Sequence, residues 1–395
     1  MSSSACIVGI GASAFGLSLP QSQSALAATA FREAISDAGL AKQAVDGISI
    51  HYGGPLGVDY DRLASMLGLE VRYVNQSWLN GRFISTALIN AALAVSAGLA
   101  NVVACVTAVS FTRVRHMLGT GLTEESMREE GGTHGEAPAY GLTSPAGGAA
   151  LGLQRYRHRF GLTDEQLAQV VIASRAHAGL NPAAIRRNPA TLDSYLASRM
   201  IADPLRAIDC CPVSDGAVVV LVANEAYARD LRKPAIRIAG MQGLRAGREE
   251  FVFAPRGLGV MQQTEALASC ARPEDLEIFA RAGVDRNDVQ GFFTYDAFSP
   301  LVLYALERFG YCEPGQAGGF VADGRIGPGG ALPVNTSGGL LSEAHVGGWN
   351  SVAEMVRQLR GEAGPRQIPN ASVLQWGTAW GDSVILSNIE AANAG

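Results

Sequence analysis

Two stretches of the chain, at 45–51 and 289–295, follow one plan. Val45-Asp46-Gly47-Ile48-Ser49-Ile50-His51 and Val289-Gln290-Gly291-Phe292-Phe293-Thr294-Tyr295 each leave a V-x-G turn as an apolar strand, after a helix and a polar connection. A repeat this widely spaced is no solenoid unit. It predicts two similar α/β halves, each burying a helix face against the other. The chain has 395 residues, more than one hydrophobic core usually fills, which agrees with two packed units.

The remaining pattern fits that plan. Residues 6–10 read as a buried strand closed by a glycine-rich turn through Gly16, and 27–38 as a helix ended by Gly39. A short strand at 48–51, an alanine-rich helix at 83–97 and a fully apolar strand at 102–106 complete a β-α-β-α-β rhythm, the mark of a sheet layered with helices. A strand at 218–223 ends the first half (1–235), and the second (236–395) opens near Ile236. There the glycine-rich run 335–339 precedes a helix at 348–359, as another glycine-rich stretch precedes the helix at 83, and strands at 373–376 and 383–386 close the chain. Between these elements lies an insertion at about 112–200. Its 113–152 part is rich in Gly, Thr and Glu and reads as a loop of the kind that lines active sites, followed by a helix at 163–178 N-capped by Thr163 and an irregular stretch at 181–203.

Composition excludes several classes. Lys and Arg number 31 against 36 Asp and Glu, a formal charge of −5 with no basic run, so nucleic acid is not an expected partner. No stretch has the length of uninterrupted apolar residues that a membrane span needs, and the N-terminus lacks a secretory signal; the expected location is the cytoplasm. The six cysteines form no C-x-x-C pair and the six histidines no H-E-x-x-H or H-x-x-x-H pair, so no metal is expected on this chain. Gly9-Ile10-Gly11…Gly16 has the wrong spacing for a dinucleotide fingerprint.

Four motifs then stand in order: Arg175-Ala176-His177-Ala178…Asn181-Pro182-Ala183-Ala184; Ala202-Asp203-Pro204-Leu205 with Asp215-Gly216-Ala217; Tyr295-Asp296-Ala297-Phe298; and Asn335-Thr336-Ser337-Gly338-Gly339 running to Glu343-Ala344-His345. This series resembles the thiolase superfamily, in its sterol-carrier-type branch, and covers nearly the whole chain. The resemblance implies a thiolase fold of two pseudo-duplicated halves in a five-layer αβαβα arrangement, an acyl-CoA substrate and a homodimer. It also implies a small OB-fold, zinc-ribbon partner that would carry any zinc; no cofactor is expected on the chain itself.

The residues depart from an ordinary thiolase in one respect. The stretch that should carry the nucleophilic cysteine, Val74-Asn75-Gln76-Ser77-Trp78-Leu79-Asn80-Gly81-Arg82-Phe83, has none, and the second family cysteine is replaced by Gly377-Thr378-Ala379-Trp380-Gly381. Cys105 lies in the next strand and is expected to be inert. Acyl transfer by a thiolate is therefore not expected. What remains for chemistry is His345, at the family's histidine position and suited to general base work. Tyr295 stands at a strand end where many thiolases have asparagine or histidine, and its phenol can donate a proton or hold an oxyanion. Steroid side-chain aldolases of the superfamily also carry tyrosine in this Tyr-Asp motif, but tend to have a second tyrosine where this chain has His345. Asn335, Ser337, Gly338 and Gly339 are expected to bind the thioester oxygen and the pantetheine arm through a tight turn. Asn80 and Gly377 are candidate substrate contacts in the two stretches that lost their cysteines. His51, the repeat counterpart of Tyr295, either enters the cavity or simply closes its strand; His134, in the long loop, is a candidate substrate contact.

The expected function is retro-aldol cleavage of a β-hydroxyacyl-CoA, a carbon–carbon lyase reaction that needs no covalent acyl-enzyme. His345, or Tyr295 acting through a neighbour, would be the base, and Asn335 with backbone N–H groups would stabilise the enolate. The alternatives are an acyltransferase that works without cysteine and a non-catalytic acyl-CoA-binding or lipid-binding subunit.

Overall fold

The computed structural model describes residues 5–54, 56–77, 84–113, 141–228, 231–245 and 273–388. In chain order the strands are β1 (Ala5–Ala12), β2 (Gly47–Ile50), β3 (Tyr73–Gln76), β4 (Val102–Ser110), β5 (Met200–Ala202), β6 (Leu205–Arg206), β7 (Asp215–Asn224), β8 (Ile236–Gln242), β9 (Gly291–Phe293), β10 (Val373–Gly377) and β11 (Ser383–Asn388). The helices are α1 (Gln23–Ala38), α2 (Tyr60–Leu67), α3 (Ile84–Ser96), α4 (Pro145–Phe160), α5 (Asp164–Gly179), α6 (Leu192–Leu196), α7 (Glu225–Ala228), α8 (Pro273–Ala282), α9 (Pro300–Arg308), α10 (Ala317–Phe320), α11 (Gly339–Ser342) and α12 (Trp349–Leu359).

Nine strands form one hydrogen-bonded order, β3-β2-β4-β7-β1-β8-β11-β10-β9, and that order contains its own repeat. Outward from the middle, β1-β7-β4-β2 takes an antiparallel, an antiparallel and a parallel step. On the other side β8-β11-β10-β9 takes the same three steps. The sets join through Cys6↔Arg237 and Ile7↔Ile236, and β3 adds one more parallel strand to the first. Helices α3 and α12 lie between the sets and pack on strands of both, while α1 covers the outer face of the first set and α8 that of the second. This is the five-layer αβαβα arrangement that the resemblance implies.

Burial explains the apolar strands. In β4 the side chains of Val103, Cys105 and Val109 face the central helices, and Val102, Ala104 and Val106 face the outer layer under α1. In β7, Val218, Val220 and Val222 alternate in the same way with Val219 and Leu221. A strand covered on both faces reads as continuously apolar, and each buried valine or leucine contributes about 1.5–3 kcal/mol relative to exposure. The V-x-G repeat has a packing cause too. A Cβ on Gly47 would stand 2.8 Å from Val103 Cγ2, and one on Gly291 would stand 2.6 Å from Ile368 Cδ1 and 3.0 Å from Leu374 Cδ2. Both strands press against neighbours at the same point of the repeat.

The structure corrects the expected irregular regions. Helix α4 occupies the end of the 113–152 stretch, with Ser144 at its N-cap position and Pro145 in its first turn. Its buried Gly147, Gly148 and Gly152 allow close packing but lower helix propensity, which hid it. Stretch 181–203 contains α6, capped by Thr191, and β5, which pairs with β6. Thr163 caps α5 as expected, in a full capping box with Gln166. Helix α2 and edge strand β3 were not read from the sequence.

Candidate active site

Tyr295 and His345 meet where the sheet of the second half ends. Strand β9 stops at Phe293, and the next residue is held by an unusual pairing: the Thr294 N–H donates to Asn335 Oδ1 at 2.9 Å, and Asn335 Nδ2 donates to the Thr294 carbonyl at 3.1 Å. Asn335 takes a left-handed backbone (φ 50°), a conformation asparagine tolerates better than most residues. Its amide thus acts as a short neighbouring strand and fixes where Tyr295 leaves the sheet. The Tyr295 hydroxyl then lies 3.0 Å from His345 Nε2.

His345 is held from three sides. Its N–H donates to Ser214 Oγ at 2.9 Å, and Ser214 Oγ contacts its carbonyl at 3.3 Å. The Phe111 ring packs against the imidazole with centroids 5.1 Å apart, and Tyr295 meets it edge-on at 5.9 Å. Phe111 is fixed through its neighbour: Asp215 accepts from the Thr112 N–H at 3.2 Å and its hydroxyl at 2.6 Å. The packed surroundings disfavour an imidazolium and push the His345 pKa down to about 4. At neutral pH the ring is neutral, and its Nε2 can exchange a proton with the phenol. Trp380 closes the other side of Tyr295, with ring centroids 6.0 Å apart. Sequence reasoning missed Ser214, Phe111 and Trp380, because each reaches the pair from a distant segment.

Asn335, Ser337, Gly338 and Gly339 are buried. They form a joint between β9, α5 and α11. Asp296 accepts from the Leu340 N–H at 2.7 Å at the start of α11, and burial raises its pKa to about 7. A Cβ on Gly339 would stand 2.2 Å from that carboxylate, and one on Gly338 would stand 2.7 Å from Ala178 Cβ. The Ser337 carbonyl accepts from Asn181 Nδ2 at 2.9 Å. Gly377 is likewise a packing residue, because a Cβ there would lie 2.5 Å from the Phe309 ring.

Of the two readings of His51, the structure gives the packed one. The ring is wholly buried, and its Nδ1 accepts from Trp349 Nε1 at 2.9 Å. Since an indole only donates, a neutral His51 carries its proton on Nε2. Gly347 lies over the ring so closely that a Cβ would come 2.9 Å from His51 Cε1. Asn80 and His134 lie outside the described residues, as do Trp78 and Phe83.

Known proteins match the chain over most of its length. Residues 258–386 match the family model "Thiolase C-terminal domain-like". The chain is 35% identical to the 17-hydroxy-3-oxo-4-pregnene-20-carboxyl-CoA lyase of Mycobacterium tuberculosis, over 91% of this chain and 92% of that one. It is 33% identical to the steroid side-chain-cleaving aldolase of Thermomonospora curvata, over 90% of each. A solved structure, "Ltp2-ChsH2(DUF35) aldolase", is 31% identical and superposes with a TM-score of 0.84 over 98% of both chains. The chain belongs to the thiolase superfamily, in the branch of the side-chain-cleaving aldolases.

For a thiolase-superfamily member the thiols among the described residues are in the wrong state for nucleophilic attack. Cys6, Cys105, Cys210, Cys211 and Cys312 are free. Burial pushes the thiols of Cys6, Cys210 and Cys312 up to about 12, and those of Cys105 and Cys211 higher still. A reactive cysteine needs the opposite shift. The hydroxyls nearby are engaged as well: Ser85, in the first turn of α3, forms a short hydrogen bond to Asp382, which also takes one from Thr378, and Ser77 Oγ donates to the His51 carbonyl at 2.6 Å. Among the described residues no His, Cys, Asp and Glu side chains are grouped to hold a metal, and no helix is long and apolar enough to cross a membrane.

Proposed function

We propose that the protein is a carbon–carbon lyase that cleaves a β-hydroxyacyl-CoA by a retro-aldol step, with Tyr295 and His345 as its proton-handling pair. The observation that carries this reading is the 3.0 Å contact between the phenol and a neutral imidazole, with no activated thiol among the described residues. In the forward step the substrate's β-hydroxyl gives its proton to the Tyr295 oxygen as the phenol proton passes to His345 Nε2. The Cα–Cβ bond breaks, its electron pair becomes the thioester enolate, and the β-carbon leaves as a ketone or aldehyde. The imidazolium that forms is strongly acidic in this environment, so it readily returns the proton through Tyr295 to Cα. The products are a carbonyl compound and a shortened acyl-CoA.

The names of the two curated relatives support a steroid-bearing CoA thioester as the substrate class. The solved relative, named with a second protein, supports assembly with a small partner subunit, which in our reading carries the OB-fold and any zinc. A homodimer and a cytoplasmic location complete the proposal, and the reaction asks no cofactor of this chain. The test is direct: incubate the purified chain, alone and with the partner, with a panel of β-hydroxyacyl-CoA esters and quantify both fragments. Equal amounts of carbonyl product and shortened acyl-CoA are expected; no cleavage under either condition would overturn the reading.

A further inference from the structure

One short segment touches the surroundings of both Tyr295 and His345. Residues 209–214 run from just after β6 into β7, and Asp209 and Ser214 are wholly buried. At its start the segment pairs with the chain just beyond Tyr295. The Cys211 N–H donates to the Ala297 carbonyl at 2.9 Å, the Ser299 N–H donates to the Asp209 carbonyl at 2.9 Å, and Cys210 bridges Phe298 in antiparallel fashion. The Ser299 hydroxyl adds a bond to Asp209 Oδ1 at 2.5 Å. At its end Ser214 takes hold of His345. One hydroxyl accepts from the His345 N–H at 2.9 Å and donates to the His345 carbonyl at 3.3 Å.

The segment is itself anchored. Asp209 also accepts from the Tyr195 hydroxyl at 3.1 Å and from the Arg206 N–H at 2.9 Å, and the Cys210 carbonyl accepts from Arg186 Nη1 at 2.9 Å. Pro212 fixes its own φ, and β7, which begins at Asp215, lies inside the main sheet. Tyr295 and His345 stand 50 residues apart in the chain, so no local structure sets their 3.0 Å contact. The segment 209–214 reaches both sides of it. Its bonds to Ala297 and Ser299 involve the main chain, which a substitution leaves in place. Its grip on His345 is a side chain, which a substitution removes.

We propose that Ser214 is a positioning residue for proton transfer: with the segment 209–214 as a rigid spacer, its hydroxyl sets where the His345 ring stands against the Tyr295 phenol. The consequence for turnover rests on the retro-aldol reading; the consequence for geometry does not, and is measured separately. Nitrogen NMR of the full chain carrying isotope-labelled histidine reads the geometry. His345→Ala identifies the His345 signals, and Tyr295→Phe shows where Nε2 lies once the phenol contact is gone. Ser214→Ala is expected to move the Nε2 signal towards the Tyr295→Phe position. Ser214→Cys, of similar shape but with a weak sulfur donor and acceptor, should fall between Ser214→Ala and the wild type. In turnover, Ser214→Ala should lower kcat by about 10-fold to 100-fold and change KM by less than about 3-fold, the scale of a small misplacement of a reacting group. In the His345→Ala background it should cost nothing further, since there is no ring left to place. The proposal is overturned if both variants keep the wild-type Nε2 signal, or if the Ser214→Ala loss is as large without His345 as with it. An Nε2 shift in Ser214→Ala, with no lyase activity in the wild type, would sink the retro-aldol reading and leave the placement of His345 by Ser214 standing.

Discussion

The two halves of the molecule place a side chain at the same point and use it differently. His51 follows β2, and Tyr295 comes two residues after β9, the equivalent strand of the second half. His51 is sealed beneath Gly347 with its Nδ1 bonded to Trp349, whereas Tyr295 faces His345, a residue that is only partly buried. Duplication therefore supplies two candidate strand ends, and the loop between α11 and α12 selects one of them. It carries His345 towards Tyr295 and lays Gly347 over His51. In the proposed mechanism this asymmetry makes one half the scaffold and the other the site of proton transfer.

The strongest way to break this comparison is to exchange the expected effects. Tyr295→Phe and His345→Ala should each lower kcat for cleavage by about 10²–10⁴-fold, the range for removing a group that transfers a proton, while CoA binding persists. Steady-state kinetics with intact-fold controls would check this. His51→Ala should act on stability instead, costing about 2–4 kcal/mol through a cavity and an unpaired indole N–H, with turnover of the folded protein changed only a few-fold. A His51 variant that unfolds normally but loses turnover as severely as Tyr295→Phe would dissolve the distinction between the halves.

Proton state sharpens it further. Because burial holds His345 near a pKa of about 4, the ring stays neutral and able to accept a proton from neutral pH down to about 5. The acid limb of kcat/KM should therefore fall near pH 4, and a limb near 6.5 would mean an ordinary solvated imidazole. The smallest effect concerns the join between the halves. Asp37 of α1 pairs with Lys233 and with Arg360, just beyond α12, and these partners lower its pKa. A carboxyl of this kind stabilises the fold above its unfolded pKa, and the contribution is lost as pH falls through its folded pKa. Asp37→Asn should cost roughly 1 kcal/mol at neutral pH in denaturant melts, and the difference from wild type should shrink in acid.

Much of the fold was legible because burial leaves a sequence mark. β4 and β7 are covered on both faces and read as unbroken apolar runs, and the glycines of the V-x-G repeat mark tight strand packing in both halves. Helix α4 was hidden because its packing face is glycine, and β3 because its residues are partly exposed at the sheet edge. In the site, the motifs of the resemblance located Tyr295 and His345, which the structure brings into contact. The glycines at 338 and 339 pack closely against Ala178 and Asp296, and in sequence a glycine needed for close packing looks like one that admits a ligand. Ser214 and Phe111 left no local signal, since their role exists only when segments far apart in the chain meet.

The central claim is that carbon–carbon cleavage proceeds here with no bond between protein and acyl group. Intact-protein mass spectrometry during turnover of a β-hydroxyacyl-CoA tests it most directly. The account predicts an unmodified protein mass at every time point while both fragments accumulate. A mass increase equal to the acyl group, rising and decaying with turnover, would contradict it.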